Sequence, residues 1–99
     1  MKNFRTFSLA VLFYRQARCL KVRGALRDQL NRASQSIALN LAEGRGKRTT
    51  KDQKKFFQIA FGSVRECQAI LILEKLEESQ SWETLDKLAA HLYRLIEKA

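Results

Sequence analysis

Residues 25–44, ALRDQLNRASQSIALNLAEG, decide the fold, because Leu26, Leu30, Ala33, Ile37, Leu41 and Gly44 recur three or four residues apart. An α-helix has 3.6 residues per turn, so this spacing lays all six along one side, and the stretch reads as an amphipathic helix with a stripe for a core. The rest of the chain follows the same rule. It contains no Pro and only four Gly among its 99 residues, so helix propensity is high nearly everywhere and breakers are few. Gly24, the segment 44–50 and the polar segment 77–81 are the convincing breaks, and they divide the chain into helices at about 4–22, 25–43, 50–78 and 82–97. The third opens at Thr49 or Thr50, where Thr50 and Gln53 match a capping box. The fourth has Ser81 as its N-cap, Glu83 in its first turn, and an inner stripe of Leu85, Leu88, Ala89, Leu92, Leu95 and Ile96. The expected class is all-α, in one domain over 1–99, with no internal repeat.

Apolar residues make up 45% of the chain and charged ones 29%, the balance of a globular domain rather than of a disordered basic tail. Cys19 and Cys67, without a secretory signal, read as buried thiols in a reducing cytoplasm rather than as a disulfide. The apolar run Phe7–Tyr14 is far shorter than the roughly 20 residues a membrane span needs and lacks a signal-peptide cleavage site. No membrane association is expected. In Phe7–Tyr14 and again in Ala69–Leu73 apolar side chains point in nearly every direction, which suits either a central helix of a tight bundle or a second face buried by a partner subunit.

Charge is distributed unevenly. Residues 1–55 hold fourteen Lys and Arg against three acids, and residues 56–99 hold five against seven, which is +11 against −2. The densest cluster is Gly44–Lys55, GRGKRTTKDQKK, with six cations and one acid at a joint between two helices. Arg27, Arg32, Arg45, Lys47, Arg48, Lys51, Lys54 and Lys55 fall on helix two, the joint or the first turns of helix three. Singly, each reads as a solvated surface charge. Together they suggest a basic surface for a polyanion, because their mutual repulsion is relieved by bound phosphates, to which the first amides of helix three add donors. Aromatic residues do not interleave with the cations of the joint, so recognition of phosphate backbone or shape is expected rather than base stacking.

Catalytic chemistry has little support. His91 is the single histidine and stands without a triad pattern. There is no phosphate loop after a strand, no CxxC or HxxxH pair and no helix-borne ExxH, so no enzyme activity, metal or cofactor is expected. The polar residues in the apolar stripes are more telling. Ser36, Asn40 and Glu43 flank the stripe of helix two, and Ser63 and Glu66 lie among the apolar positions of helix three. Buried polar groups need partners, so these five read as a structural network that sets helix register, with a ligand pocket lined by Asn40, Glu43 and Glu66 as the alternative. Gly62, unfavourable in a helix interior, suggests close approach of another helix.

The segments Leu26–Gly44, LRDQLNRASQSIALNLAEG, and Phe56–Ile70, FFQIAFGSVRECQAI, resemble the bacterial four-helix-bundle proteins encoded by intervening sequences within large-subunit ribosomal RNA genes. Arg32-Ala33-x-x-Ser36-Ile37, Asn40-Leu41-Ala42-Glu43-Gly44 and Ala60-x-Gly62-Ser63-x-x-Glu66 carry the resemblance in order and spacing. It implies an antiparallel up-down bundle that assembles as a ring-like homopentamer. The accessory proteins of diversity-generating retroelements are similar, and through them the resemblance implies binding of nucleic acid and of a reverse transcriptase. The expected function is thus a non-enzymatic, cytoplasmic bundle that binds structured or ribosomal RNA through a basic surface of a homo-oligomer. A scaffold docking an acidic protein such as a reverse transcriptase is the alternative.

Overall fold

A computed structural model describes residues 4–99, so residues 1–3 of the expected domain lie outside the described residues. Four helices follow one another, α1 (Phe4–Arg18), α2 (Gly24–Arg45), α3 (Thr50–Leu73) and α4 (Gln80–Lys98), and no strand is present among these residues. Each helix packs against its neighbours in the chain, and α4 closes the ring against α1. Short connections between neighbours make the helices alternate in direction. The result is the antiparallel four-helix bundle, 39 Å long and 22 by 18 Å across.

The stripe of α2 is where its spacing placed it. Leu30, Ala33, Ile37, Leu41 and Gly44 are buried and Leu26 is half-buried. They meet Phe57, Ala60, Val64, Cys67, Ile70 and Leu71 of α3, with Ala10, Phe13 and Ala17 of α1 and Leu85, Leu88 and Leu92 of α4 completing the core. At Gly44, α2 lies tight against α3. A Cβ there would lie 2.8 Å from Phe57 Cε1 and 3.0 Å from Phe56 Cβ, so only hydrogen fits.

Two helix ends differ from expectation, each for a local reason. α1 stops at Arg18 rather than near residue 22, because Arg27 reaches back and donates to the carbonyls of Ala17, Leu20 and Val22, holding that segment as a loop. Gly24 then turns the chain with φ of 64°, a left-handed value that glycine adopts without penalty. α3 ends at Leu73 rather than near 78. Lys75 takes φ of 58°, Leu76 N–H donates to Leu71 O at 2.8 Å, and Lys75 N–H donates to Ile72 O at 3.1 Å. This is a Schellman motif built without glycine, with Leu76 as its hydrophobic anchor against the core.

The caps also differ. At α3 the capping pair is Thr49 with Asp52, whose amide donates to Thr49 Oγ1 at 3.1 Å, while Gln53 Nε2 is drawn to Lys47 O. At α4 the cap is Ser79, which accepts from Trp82 N–H at 3.2 Å; Ser81 lies inside the helix and is buried. In both places two hydroxyl residues stand close together, and the backbone uses the earlier one.

Candidate nucleic-acid interface

In an up-down bundle the start of α1, the end of α2, the start of α3 and the end of α4 meet at one pole. That topology brings the joint cations Arg45, Lys47, Arg48, Lys51, Lys54 and Lys55 together with Arg5 of α1 and Arg94 and Lys98 of α4. Among the described residues at this end the opposing carboxylates are Glu43, Asp52 and Glu97. Glu43 pairs with Lys47 at 3.2 Å, and Asp52 sits in the first turn of α3, where a carboxylate complements the helix dipole. The surplus is positive.

The joint is held, not loose. Thr49 caps α3, Gln53 donates to Lys47 O at 3.0 Å, and Gly46 N–H donates to the carbonyls of Ala42 and Glu43. Lys47 Nζ lies 5.1 Å from the centroid of the ring of Phe56, the residue that follows the joint. Arg48, Lys51 and Lys55 are exposed and Lys54 is half-buried. A backbone held in this way spares the joint much of the ordering cost when an anion arrives.

Inside the rim of cations is a cavity of about 550 Å³. All four helices contribute to it: Thr6 from α1, Arg45 from α2, Gln53 and Phe57 from α3, and His91, Arg94, Leu95 and Lys98 from α4, with Ala99 at its C-cap. Desolvation first, and then the charges of Arg5 and Arg94, hold the His91 imidazole below its ordinary pKa. His91 is neutral at neutral pH for that reason. Arg5, His91, Arg94 and Lys98 are functional candidates that charge clustering along the chain missed, since they lie far from the joint in sequence. The signal that finds them is topological, because helix ends of opposite direction share a pole.

Other expected site residues go elsewhere. Arg27 stands eighteen residues before Arg45, about 27 Å along the helix, so the eight cations do not share one surface as expected. It binds backbone carbonyls of the α1–α2 loop and Asn31 Oδ1, and its role is structural. Arg32 is exposed midway along α2. Arg18, Lys21 and Arg23 lie at the far pole, which they share with Glu74, Glu77, Glu78 and Glu83. Charge is therefore divided from pole to pole rather than between the two halves of the chain.

The polar network is smaller than expected. Ser63 Oγ donates to Ser36 Oγ at 2.9 Å across the α2–α3 seam, and Asn40 Nδ2 donates to Ser36 Oγ at 3.0 Å and to Ser36 O at 2.9 Å. Glu43 turns to Lys47, and Glu66 is exposed. Asn40, Glu43 and Glu66 line neither the polar cavity nor the groove of about 420 Å³ between α3 and α4. Cys67 is buried, but Cys19 is exposed, so the reading of two buried thiols holds for one; both are free.

The family model for the 23S rRNA-intervening sequence protein matches residues 4–98, across all four helices. The chain belongs to the 23S rRNA-intervening sequence protein family. No curated protein and no solved structure matches it. In this intervening-sequence protein the motif residues Ala33, Ile37, Leu41, Gly44 and Ala60 are buried in the α2–α3 seam, and Ser36 and Ser63 bridge it. The motifs thus hold the central helix pair in register, and that pair carries the basic joint.

Proposed function

We propose that this intervening-sequence protein is a non-catalytic, cytoplasmic RNA-binding bundle whose basic pole contacts the phosphates of structured or ribosomal RNA. The convergence of cations from all four helices at one pole, around a joint whose backbone is held, carries this reading. Phosphate contacts made by Lys and Arg displace counterions and need no base readout, which suits a surface where the cations are many and the stacking rings few. Family membership connects the chain with ribosomal RNA, and the free cysteines suit a reducing compartment.

The chain would act as a homo-oligomer, and five copies are implied by the resemblance. The support is an uncovered stripe along α3. Ile59, Gly62, Glu66, Ala69 and Leu73 are all exposed at spacings of three or four, and Leu39 of α2 is 62% exposed. By length and composition α3 could cross a membrane. One face of it is core, however, and its exposed apolar face suits a second copy of the chain. A ring would present several poles to one RNA and raise avidity accordingly.

The test replaces Arg48, Lys51 and Lys55 with Gln and measures affinity for a structured RNA over a salt series. Loss of three phosphate contacts lowers the slope of log K against log salt by about two to three per protomer. An unchanged affinity and slope would remove the pole from the mechanism. Retention of an acidic protein rather than RNA in a pulldown would turn the reading towards a protein scaffold, such as one for a reverse transcriptase. Sedimentation should give a mass near five times 11.5 kDa, and a mass near a single chain refutes the ring.

A further inference from the structure

The polar cavity has features that a surface for RNA backbone does not need. Arg45, Arg94 and Lys98 line it with His91 and Gln53; its lining holds no Asp or Glu, and Ala99 after α4 completes it. Its floor is apolar. Phe57 is 3% exposed and Leu95 is half-buried, so the site has an apolar base below a rim of cations. At about 550 Å³ the cavity falls within the range of small-molecule sites and can take a phosphate with its attached sugar.

We propose that this cavity binds the terminal phosphate of an RNA strand, an inference that rests on the reading of the pole as an RNA surface. Two considerations favour a strand end over an internal phosphate. The cavity is lined by all four helices at one end of the bundle, a recess that suits a chain that stops there, whereas an internal phosphodiester has a nucleoside on each side. The second is charge. A terminal phosphate carries between one and a half and two negative charges near neutral pH, against one for a diester, and so pairs more strongly with the Arg and Lys residues that line the cavity. After desolvation, the charges of Arg5 and of Arg94, which lines the cavity, already disfavour charging of His91. A dianion relieves that repulsion more than a monoanion does.

The experiment compares otherwise identical single-stranded RNA oligonucleotides with 5′-phosphate, 3′-phosphate or hydroxyl ends, by fluorescence anisotropy at fixed salt, on the full chain. One phosphorylated end should bind about tenfold or more tightly than the hydroxyl form, and the Arg94→Gln, Lys98→Gln double variant should bring that ratio close to one. Both side chains are exposed, so the fold is retained, as circular dichroism will verify. A ratio near one in the unaltered protein overturns the proposal. Inorganic phosphate separates the two sources of the same chemistry. If it competes as well as the phosphorylated oligonucleotide, the cavity is a free-phosphate site and the assignment to RNA ends fails. The Arg48, Lys51, Lys55 variant separates this proposal from the wider reading. Weakened binding of hydroxyl-ended RNA with no end preference in the unaltered protein sinks the cavity alone. An end preference with hydroxyl-ended binding untouched sinks the surface alone.

Discussion

Replacing Gly44 with Ala tests the packing that positions the basic joint. The new Cβ would stand 2.8 Å from Phe57 Cε1 and 3.0 Å from Phe57 Cδ1 and Phe56 Cβ. Carbon pairs sit best at 3.5 Å or more, so the shortest contact is about 0.7 Å inside that limit. Neither neighbour yields easily. Phe57 is 3% exposed in the core, and Phe56 Cβ is tied to the α3 backbone, so relief requires the helices to part. Overpacking of this kind costs about 1–3 kcal/mol. Ala gains up to about 1 kcal/mol over Gly in a helix interior, and less here, one residue from the end of α2. The net is a loss of about 1–2 kcal/mol, or about 4–15 °C in Tm for a domain of this size. Gly62→Ala is the control, because a Cβ at this exposed helix position meets nothing within 4 Å. In the isolated protomer it should gain up to about 1 kcal/mol. Thermal and urea unfolding at equal protein concentration, followed by circular dichroism, will compare the two. A Gly44→Ala protein as stable as the parent would refute the argument from close approach. A Gly62→Ala protein that loses stability, more so on dilution, would show that another copy covers that face.

Arg27→Gln should destabilise the bundle by about 2–3 kcal/mol, since it strips a charged donor from three loop carbonyls; urea unfolding reads the loss. The salt slope of RNA binding should stay unchanged, and a reduced slope would return Arg27 to the phosphate surface. For His91 the depressed pKa means that the unfolded chain protonates first, near 6.5, so its contribution is present above that pH and declines as pH falls. A bound anion raises the imidazole pKa, against Arg5 on α1, Arg45 on α2 and Arg94 and Lys98 on its own helix. Sulfate, a dianion throughout, should therefore bind more tightly as pH falls through that region, and His91→Gln should flatten the dependence in calorimetry. Burial, with a smaller effect of Glu66, pushes the Cys67 thiol from 9.0 up to about 12. Its contribution to stability is complete below pH 9 and is lost above it, by about 1.4 kcal/mol per pH unit. Cys67→Ala should remove that slope from alkaline unfolding curves. In the native protein a thiol reagent should label Cys19 and spare Cys67.

Helix identity was legible because it rests on local facts. The apolar period of α2 and α4 and the scarcity of breakers state which stretches are helices and which sides face inward. The Ser36–Ser63 contact was legible for a related reason, as polar groups beside apolar stripes on two helices must find each other. Helix ends were less so. Lys75 forms a left-handed cap where glycine is the usual signal, and Ser79 and Thr49 take caps that Ser81 and Thr50 could equally have claimed on pattern alone.

The basic joint shows where the division falls. Its charge, and its place between two helices, followed from Gly44–Lys55 alone, because both are properties of neighbouring residues. Which cations act together did not. Tertiary structure carried Arg27 away from the joint and spent its donors on a loop, while it brought Arg5, His91, Arg94 and Lys98 to the same pole from the two outer helices. The physical reason is that charges add through space. An antiparallel bundle places the ends of the chain's helices side by side, so a surface at its pole is assembled from segments that are remote in sequence.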